Sequence, residues 1–193
     1  MLTAILLCVP PKSVAQDAED ERLWLAGAYS FSDELGGFRI VSVTGTGIRD
    51  DPIVIIEEFD SATPATLVIR TTRPIRPFDA PVRYANGILY LRIVTKNHGG
   101  QGWVEFEFEL QELLGKASVF GDGLSFDQRS ADKKNISSDS FVEFGRDFEP
   151  YDKLLFRNGK VDPLDTAEFG FLITDFTPKR QFYLVQDPRI PSS

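Results

Sequence analysis

The stretch Trp103-Val104-Glu105-Phe106-Glu107-Phe108-Glu109-Leu110 carries the clearest secondary-structure signal in the chain. Apolar and acidic side chains alternate along it, which is the period of a β-strand with one buried and one solvated face. We expect the core face to carry Val104, Phe106, Phe108 and Leu110, and the outer face to carry Trp103, Glu105, Glu107 and Glu109. The stretch therefore predicts a strand that covers the core of a β domain.

Other short apolar or β-branched runs lie on both sides of this strand, and turn-forming residues separate them. They cover residues 38–43, 53–59, 67–71, 88–94, 141–144, 154–156, 167–176 and 181–186. No long window has helical amphipathicity. The pattern predicts an all-β fold, a single antiparallel β-sandwich or jelly-roll-like domain with about nine to ten strands and little helix.

The first residues are typical of a secretory signal peptide. Leu2–Val9 is apolar, Pro10-Pro11 follows, and Ser13-Val14-Ala15 supplies the small residues of a cleavage site. Eight apolar residues are too few to cross a bilayer, so we expect no integral membrane segment in the mature chain. Cleavage after Ala15 would export the protein to the periplasm or the extracellular space.

These signals divide the sequence into four parts. We assign a signal peptide to residues 1–15, an N-terminal lead-in to 16–37, the β-sandwich domain to 38–187 and a tail to 188–193.

The composition is that of a soluble protein with few reactive side chains. The 193 residues are 42% hydrophobic and 26% charged, and the net charge of −8 makes nucleic acid an unexpected partner. There are 16 Phe but one Cys and one His, and the cysteine, Cys8, falls within the predicted signal peptide. The phenylalanines suit the core of a sandwich, and the scarcity of nucleophiles and bases disfavours catalysis.

Two segments resemble exported bacterial β-sandwich proteins of the "choice-of-anchor" type. Residues 97–110 follow the pattern Asn-x-x-Gly-x-x-Trp-x-x-Phe-x-x-Glu-Leu, and residues 156–171 follow a Gly-x-Val-x-Pro-Gly-x-x-x-x-Phe-x-Phe hairpin with Leu164 where Gly is usual. The resemblance implies export and a sandwich fold, and it assigns no catalytic residue.

The candidate metal ligands in the sequence are carboxylates. One His and no mature Cys leave zinc without its usual ligands. Asp122, Asp127 and Asp132 lie in a polar segment, 121–139, and their oxygens are the ligands that calcium prefers. The alternative is a solvated loop in which these residues cap turns. Apart from calcium, we expect no cofactor.

The glutamates supply an enzymatic hypothesis. Alternate residues of a strand project to one face about 6.5–7 Å apart, and retaining glycosidases hold two carboxyl groups about 5–5.5 Å apart. The strand is similar to the Glu-x-Asp-x-Glu strand of laminarinase- and agarase-type jelly rolls. That resemblance implies Glu105 as nucleophile and Glu109 as acid/base, with Glu107 in place of the family's Asp. The alternative is an ordinary polar outer face.

The same face supports a binding hypothesis. An aromatic ring beside hydrogen-bonding groups suits a sugar, so a carbohydrate-binding module would use Trp103, Tyr90, Glu105 and Glu107, with a glycan or an envelope protein as partner. The alternative is that Trp103 packs between strands under a loop. The basic segment 73–77 could dock an anionic envelope polymer, or it could be a charged edge that prevents strand-to-strand aggregation.

The sequence has the pattern of a β domain and lacks an evident nucleophile, base or set of zinc ligands. We therefore predict a non-catalytic exported β-sandwich protein with a binding or structural role. The carbohydrate-binding module and the retaining glycosidase remain the two alternatives.

Overall fold

A computed structural model describes residues 23–119, 121–127, 135–146 and 150–191, in which thirteen β-strands form two sheets packed face to face. The predicted all-β sandwich is confirmed. The strands outnumber the prediction because four of them, of two to four residues, are too short to give a sequence signal. The predicted signal peptide, residues 1–15, lies outside the described residues.

One sheet has seven strands. They are β1 (Trp24–Ala26), β2 (Tyr29–Ser32), β5 (Ala65–Thr71), β7 (Glu105–Gln111), β10 (Phe141–Gly145), β11 (Lys153–Gly159) and β13 (Gln181–Arg189). Their order across the sheet is β1-β2-β5-β13-β7-β11-β10.

The other sheet has six strands. They are β3 (Arg39–Thr44), β4 (Ile53–Phe59), β6 (Ile88–Asn97), β8 (Leu124–Phe126), β9 (Ser137–Ser138) and β12 (Thr166–Asp175). The order is β3-β4-β6-β12-β8, and β9 also pairs with β12. β4 and β6 pair in parallel because the chain passes through β5 in the seven-stranded sheet between them, a departure from the predicted antiparallel pattern.

The ends of the domain differ from the prediction. β1 and β2 lie within the segment 16–37, which the sequence indicates as a lead-in, because the hairpin is too short to show a period. β13 continues to Arg189, so the predicted tail begins inside a strand. Beyond Gln186 this strand pairs with β7 alone, which leaves room for Pro188, a residue with no N–H to donate.

Phenylalanine rings fill the space between the sheets. Phe106 and Phe108 of β7 meet Phe169 and Phe171 of β12 across the sandwich, with ring centroids 4.7 Å apart for Phe106–Phe169 and 4.8 Å apart for Phe108–Phe171. All four rings are buried. Tilted and edge-on contacts of this kind stabilise aromatic pairs beyond the area that they bury.

A carboxyl group lies in the same core. Glu57 of β4 is fully buried and accepts a hydrogen bond from the Thr95 hydroxyl of β6 at 2.7 Å. It accepts a second one, at 3.0 Å, from the side-chain amide of Gln186, which belongs to the opposite sheet. Glu57 therefore links the two sheets.

The surroundings of Glu57 favour its neutral form. Burial raises the pKa of Glu57 to about 7, although the hydrogen bonds from Gln186 and Thr95 act to lower it. The carbonyl oxygen of Gln186 has no hydrogen-bond partner among the described residues.

We predict that ionisation of Glu57 destabilises the fold as the pH rises from about 4.5 to about 7, the ordinary and folded pKa values of this carboxyl. Since the folded state holds the proton more tightly in that window, the free energy of unfolding falls by on the order of 3 kcal/mol. Urea unfolding of the wild type and of Glu57→Gln at several pH values measures the effect. The variant should lose this pH dependence.

The matched control is Glu168→Gln, which removes an exposed carboxylate paired with Arg92. Its pH dependence should follow that of the wild type. Identical pH profiles for the wild type and Glu57→Gln would contradict the assignment.

Candidate functional site

The three glutamates of β7 lie on the outer face of the seven-stranded sheet, beside two cations from neighbouring strands. Lys153 of β11 is 3.2 Å from Glu107 and 2.6 Å from Glu109. Arg189 of β13 is 2.7 Å from Glu107 and 3.6 Å from Glu105. The register places Lys153 opposite Glu109 and Arg189 opposite Glu105, so sheet pairing sets this arrangement. We call these five side chains the charged ladder.

The charged ladder is a set of ion pairs. Partial burial lowers the pKa of Lys153, but hydrogen bonds and charges from Glu109 and Glu107 outweigh burial and raise it overall. The pKa of Arg189 is likewise raised. Burial acts to lower it, but the carboxylates of Glu107, Asp187 and Glu105 outweigh burial. A glycosidase needs one carboxyl group that carries a proton to the leaving group, whereas here a cation lies against each carboxylate.

The expected exposure of Trp103 is wrong. Its side chain is fully buried, with ring centroids 5.5 Å from Phe106 and 6.0 Å from Phe59. The chain bends at Val104 before β7 begins, so the alternation slips by one residue and Trp103 faces the core together with Phe106. Trp103 therefore offers no platform for a sugar.

Tyr90 lies on the other side of the molecule. It projects from the outer face of the six-stranded sheet, where Arg49 stacks 5.4 Å from its ring centroid and donates a hydrogen bond of 3.3 Å to its hydroxyl. Since Glu105 and Glu107 lie on the outer face of the seven-stranded sheet, the predicted set of Trp103, Tyr90, Glu105 and Glu107 does not form one site.

Asp122 organises a turn. Its carboxylate accepts hydrogen bonds from the Ser118 hydroxyl at 2.7 Å and from the backbone N–H groups of Val119 at 2.9 Å and Leu124 at 3.1 Å. Both oxygens of the Asp122 carboxylate therefore accept hydrogen bonds from the surrounding chain. This is what we expect if Asp122 caps a turn.

Asp127 lies at the other end of β8 from Asp122 and accepts a hydrogen bond of 2.7 Å from the Asn135 side chain. Asp132 lies outside the described residues. Among the residues that the structure describes, no group of three His, Cys, Asp or Glu side chains is arranged to hold a metal ion.

Three connections meet at one end of the seven-stranded sheet. They are residues 72–87 between β5 and β6, 112–116 after β7, and 176–180 between β12 and β13. The ends of β5 and β7 lie beside the start of β13 because Arg70 pairs with Gln181 and Gln111 with Tyr183. We call the surface formed by these three connections the loop end.

Backbone contacts hold the loop end together. The Thr71 N–H donates to the Arg180 carbonyl at 2.9 Å, and the Asp175 N–H donates to the Gly87 carbonyl at 2.8 Å. A Cβ on Gly87 would lie 1.9 Å from the Asp175 carbonyl oxygen, so only glycine permits this approach. The connections 72–87 and 176–180 are thereby fixed against each other.

The loop end exposes five large apolar side chains. Leu113 is 62% exposed, Phe78 and Leu114 are 54% exposed, and Val82 and Phe176 are 38% exposed. Phe78 and Phe176 come from different connections, and their ring centroids are 5.6 Å apart. Several large exposed apolar side chains at one end of a domain are a mark of an interaction site.

Cations surround these apolar groups. The three connections carry exposed Arg73, Arg76, Arg83, Lys116, Lys179 and Arg180. Their only acids are exposed Asp79, 3.7 Å from Arg76, and partly buried Glu112, 3.4 Å from Lys179. The three connections are therefore basic in a chain whose net charge is −8, and the nearest further acid, the buried Asp175, accepts a hydrogen bond from the Thr177 N–H.

An open hollow of about 520 Å³ adjoins the loop end. It is lined by Glu112, Leu113, Leu114, Lys179, Gln181 and Tyr183. It combines one aromatic ring, two apolar side chains and several hydrogen-bonding groups.

The sequence indicates only part of the loop end. The basic segment 73–77 lies in the first connection and is visible in the sequence. The other two connections are short and lie far along the chain, and strand register alone brings them together.

Comparison of the chain with protein-family models, curated proteins and solved structures found no match. Within the described residues, no helix has the length and apolar character needed to cross a membrane.

We predict that Glu107→Gln destabilises the protein by about 1–2 kcal/mol, because it weakens two ion-paired hydrogen bonds at a nearly buried position. Urea unfolding measures the change. The control Glu143→Gln alters a pair with Arg157 in which both side chains are about half exposed, and it should cost less than about 0.5 kcal/mol. Equal effects of the two substitutions would contradict a structural role for the charged ladder.

We also predict that Asp122→Ala lowers the melting temperature equally with calcium and with a chelator, because it removes hydrogen bonds within a turn. The free energy of unfolding should fall by about 1–3 kcal/mol. The exposed Asp50→Ala serves as control and should leave the melting temperature unchanged. A chelator that destabilises the wild type but not Asp122→Ala would instead show that this carboxylate binds calcium.

Proposed function

We propose that this chain is a non-catalytic β-sandwich protein of the cell exterior or periplasm that binds a component of the cell envelope through its loop end. The proposal rests above all on one observation: three separate connections place exposed apolar and basic side chains at the same end of the sandwich. Loops held by a packed sandwich are the usual location of binding residues.

The charged ladder supports the non-catalytic part of the proposal. Glu105, Glu107 and Glu109 are the residues that the glycosidase alternative requires, and each lies within 4 Å of Lys153 or Arg189. Their interactions suit cross-strand stabilisation of a sheet.

Binding through the loop end can be tested by co-sedimentation with washed bacterial envelope fragments. The double variant Phe78→Gly/Val82→Gly removes two exposed apolar side chains at positions whose φ values, 62° and 67°, glycine adopts without strain. We expect the wild type to sediment with the fragments and the variant to sediment at least about tenfold less, since it loses apolar area that binding would bury.

The matched control is Leu164→Gly, which removes a side chain of the same class at φ 72° from the opposite end of the sandwich. It should bind like the wild type. Equal sedimentation of all three proteins, or release of sugars from a polymeric glycan by the wild type but not by Glu109→Gln, would overturn the proposal.

The hollow beside Tyr183 favours a second candidate function, glycan binding. The Tyr183 ring lies among Glu112, Lys179 and Gln181, and these side chains can form hydrogen bonds with sugar hydroxyls. Calorimetric titration with soluble glycans would detect it. Tyr183→Ala should then abolish binding while Tyr90→Ala, on the other sheet, leaves it unchanged; absence of heat with every glycan would dismiss it.

A further inference from the structure

We infer that the loop end docks on the surface of a membrane rich in anionic lipid, with its apolar side chains in the interface and its arginines and lysines against the headgroups. The inference rests on the proposed function, because it names the envelope component that the loop end binds.

The apolar side chains occur where an interfacial anchor needs them. Phe78, Val82 and Phe176 lie on two connections that meet through the Phe78–Phe176 ring contact, and Leu113 and Leu114 lie on a third connection at the same end. None of the five contributes to the core. Aromatic and aliphatic side chains beside cations are the composition of surfaces that bind at the headgroup boundary.

The charges supply complementarity to one kind of partner. Six exposed cations face one exposed acid within the three connections, and Arg73, Arg83, Lys116 and Arg180 form no ion pair with a described side chain. Arg76 is held over the Tyr84 ring, 4.5 Å from its centroid. An anionic bilayer attracts such a cluster over about a Debye length, even when the rest of the protein is acidic.

The backbone of the first connection holds its apolar groups outward at a conformational cost. Phe78 and Val82 both have φ values in the left-handed region, 62° and 67°, which is unfavourable for a β-branched residue such as valine. Glycine at either position would relieve the strain. Strained non-glycine residues are concentrated at binding sites, where the side chain itself is needed.

The experiment is flotation of the purified protein with vesicles of phosphatidylcholine alone or mixed in equal parts with phosphatidylglycerol. We expect binding to the acidic vesicles only, and weaker binding as salt concentration rises. Phe78→Gly/Val82→Gly should reduce binding at least about tenfold, through the loss of inserted apolar groups. Arg73→Glu/Arg83→Glu should reduce it by at least about tenfold, through the loss of headgroup attraction.

Two controls match these variants. Leu164→Gly relieves a positive φ at the opposite end of the sandwich, and Arg92→Glu/Arg157→Glu makes the same change of net charge at exposed residues outside the loop end. Both should float like the wild type. Thermal unfolding of every variant shows whether a loss of binding is due to misfolding. Both glycine variants should remain folded, because glycine adopts a positive φ without strain.

Several outcomes would overturn the lipid assignment. Equal binding to neutral and acidic vesicles, or binding that the loop variants do not change, contradicts it directly. Failure to bind vesicles while envelope fragments still bind leaves the proposed function intact and excludes lipid. Binding to soluble polyphosphate but not to vesicles identifies an anionic polymer instead. Failure with both fragments and vesicles removes the proposed function as well.

Discussion

The contact between the phenylalanines of β7 and those of β12 is the interaction on which the rest of the structure depends. These strands lie in different sheets, and their rings pack at 4.7–5.2 Å between centroids for Phe106–Phe169, Phe108–Phe169 and Phe108–Phe171. Burial of aromatic area supplies a large share of the free energy of folding in a sandwich. Because the same strand β7 carries glutamates at the intervening positions, fixing its inner face also fixes which carboxylates face outward.

Two glutamates, one inside this core and one on the outer face of a sheet, have different roles because their environments differ. Glu57 lies between the sheets, where burial raises its pKa to about 7 and hydrogen bonds to both sheets hold it. Glu107 lies on the outer face, where Lys153 and Arg189 pair with it. Exclusion of water therefore favours the neutral form of Glu57, while Glu107 lies between two cations that hold it in a cross-strand network.

The binding proposal follows from how the sandwich ends. The connection between β5 and β6 crosses from one sheet to the other. It is the longest of the three connections at the loop end. Its position against the turn between β12 and β13 depends on Gly87, where any side chain would meet the Asp175 carbonyl. A rigid support of this kind lets exposed apolar groups stay exposed, because the loop cannot collapse to cover them.

The period of apolar residues in the sequence determined the sandwich, the inward direction of Phe106 and Phe108 and the outward direction of the glutamates, since alternation on a strand depends only on local geometry. Tertiary structure alone decided three other matters. A bend at Val104 placed Trp103 in the core. A shift of one residue in the alternation moves the preceding side chains to the other face of the sheet. Strand register paired the glutamates with Lys153 and Arg189 and brought three distant connections to one end, and such long-range pairings leave no periodic trace in the sequence.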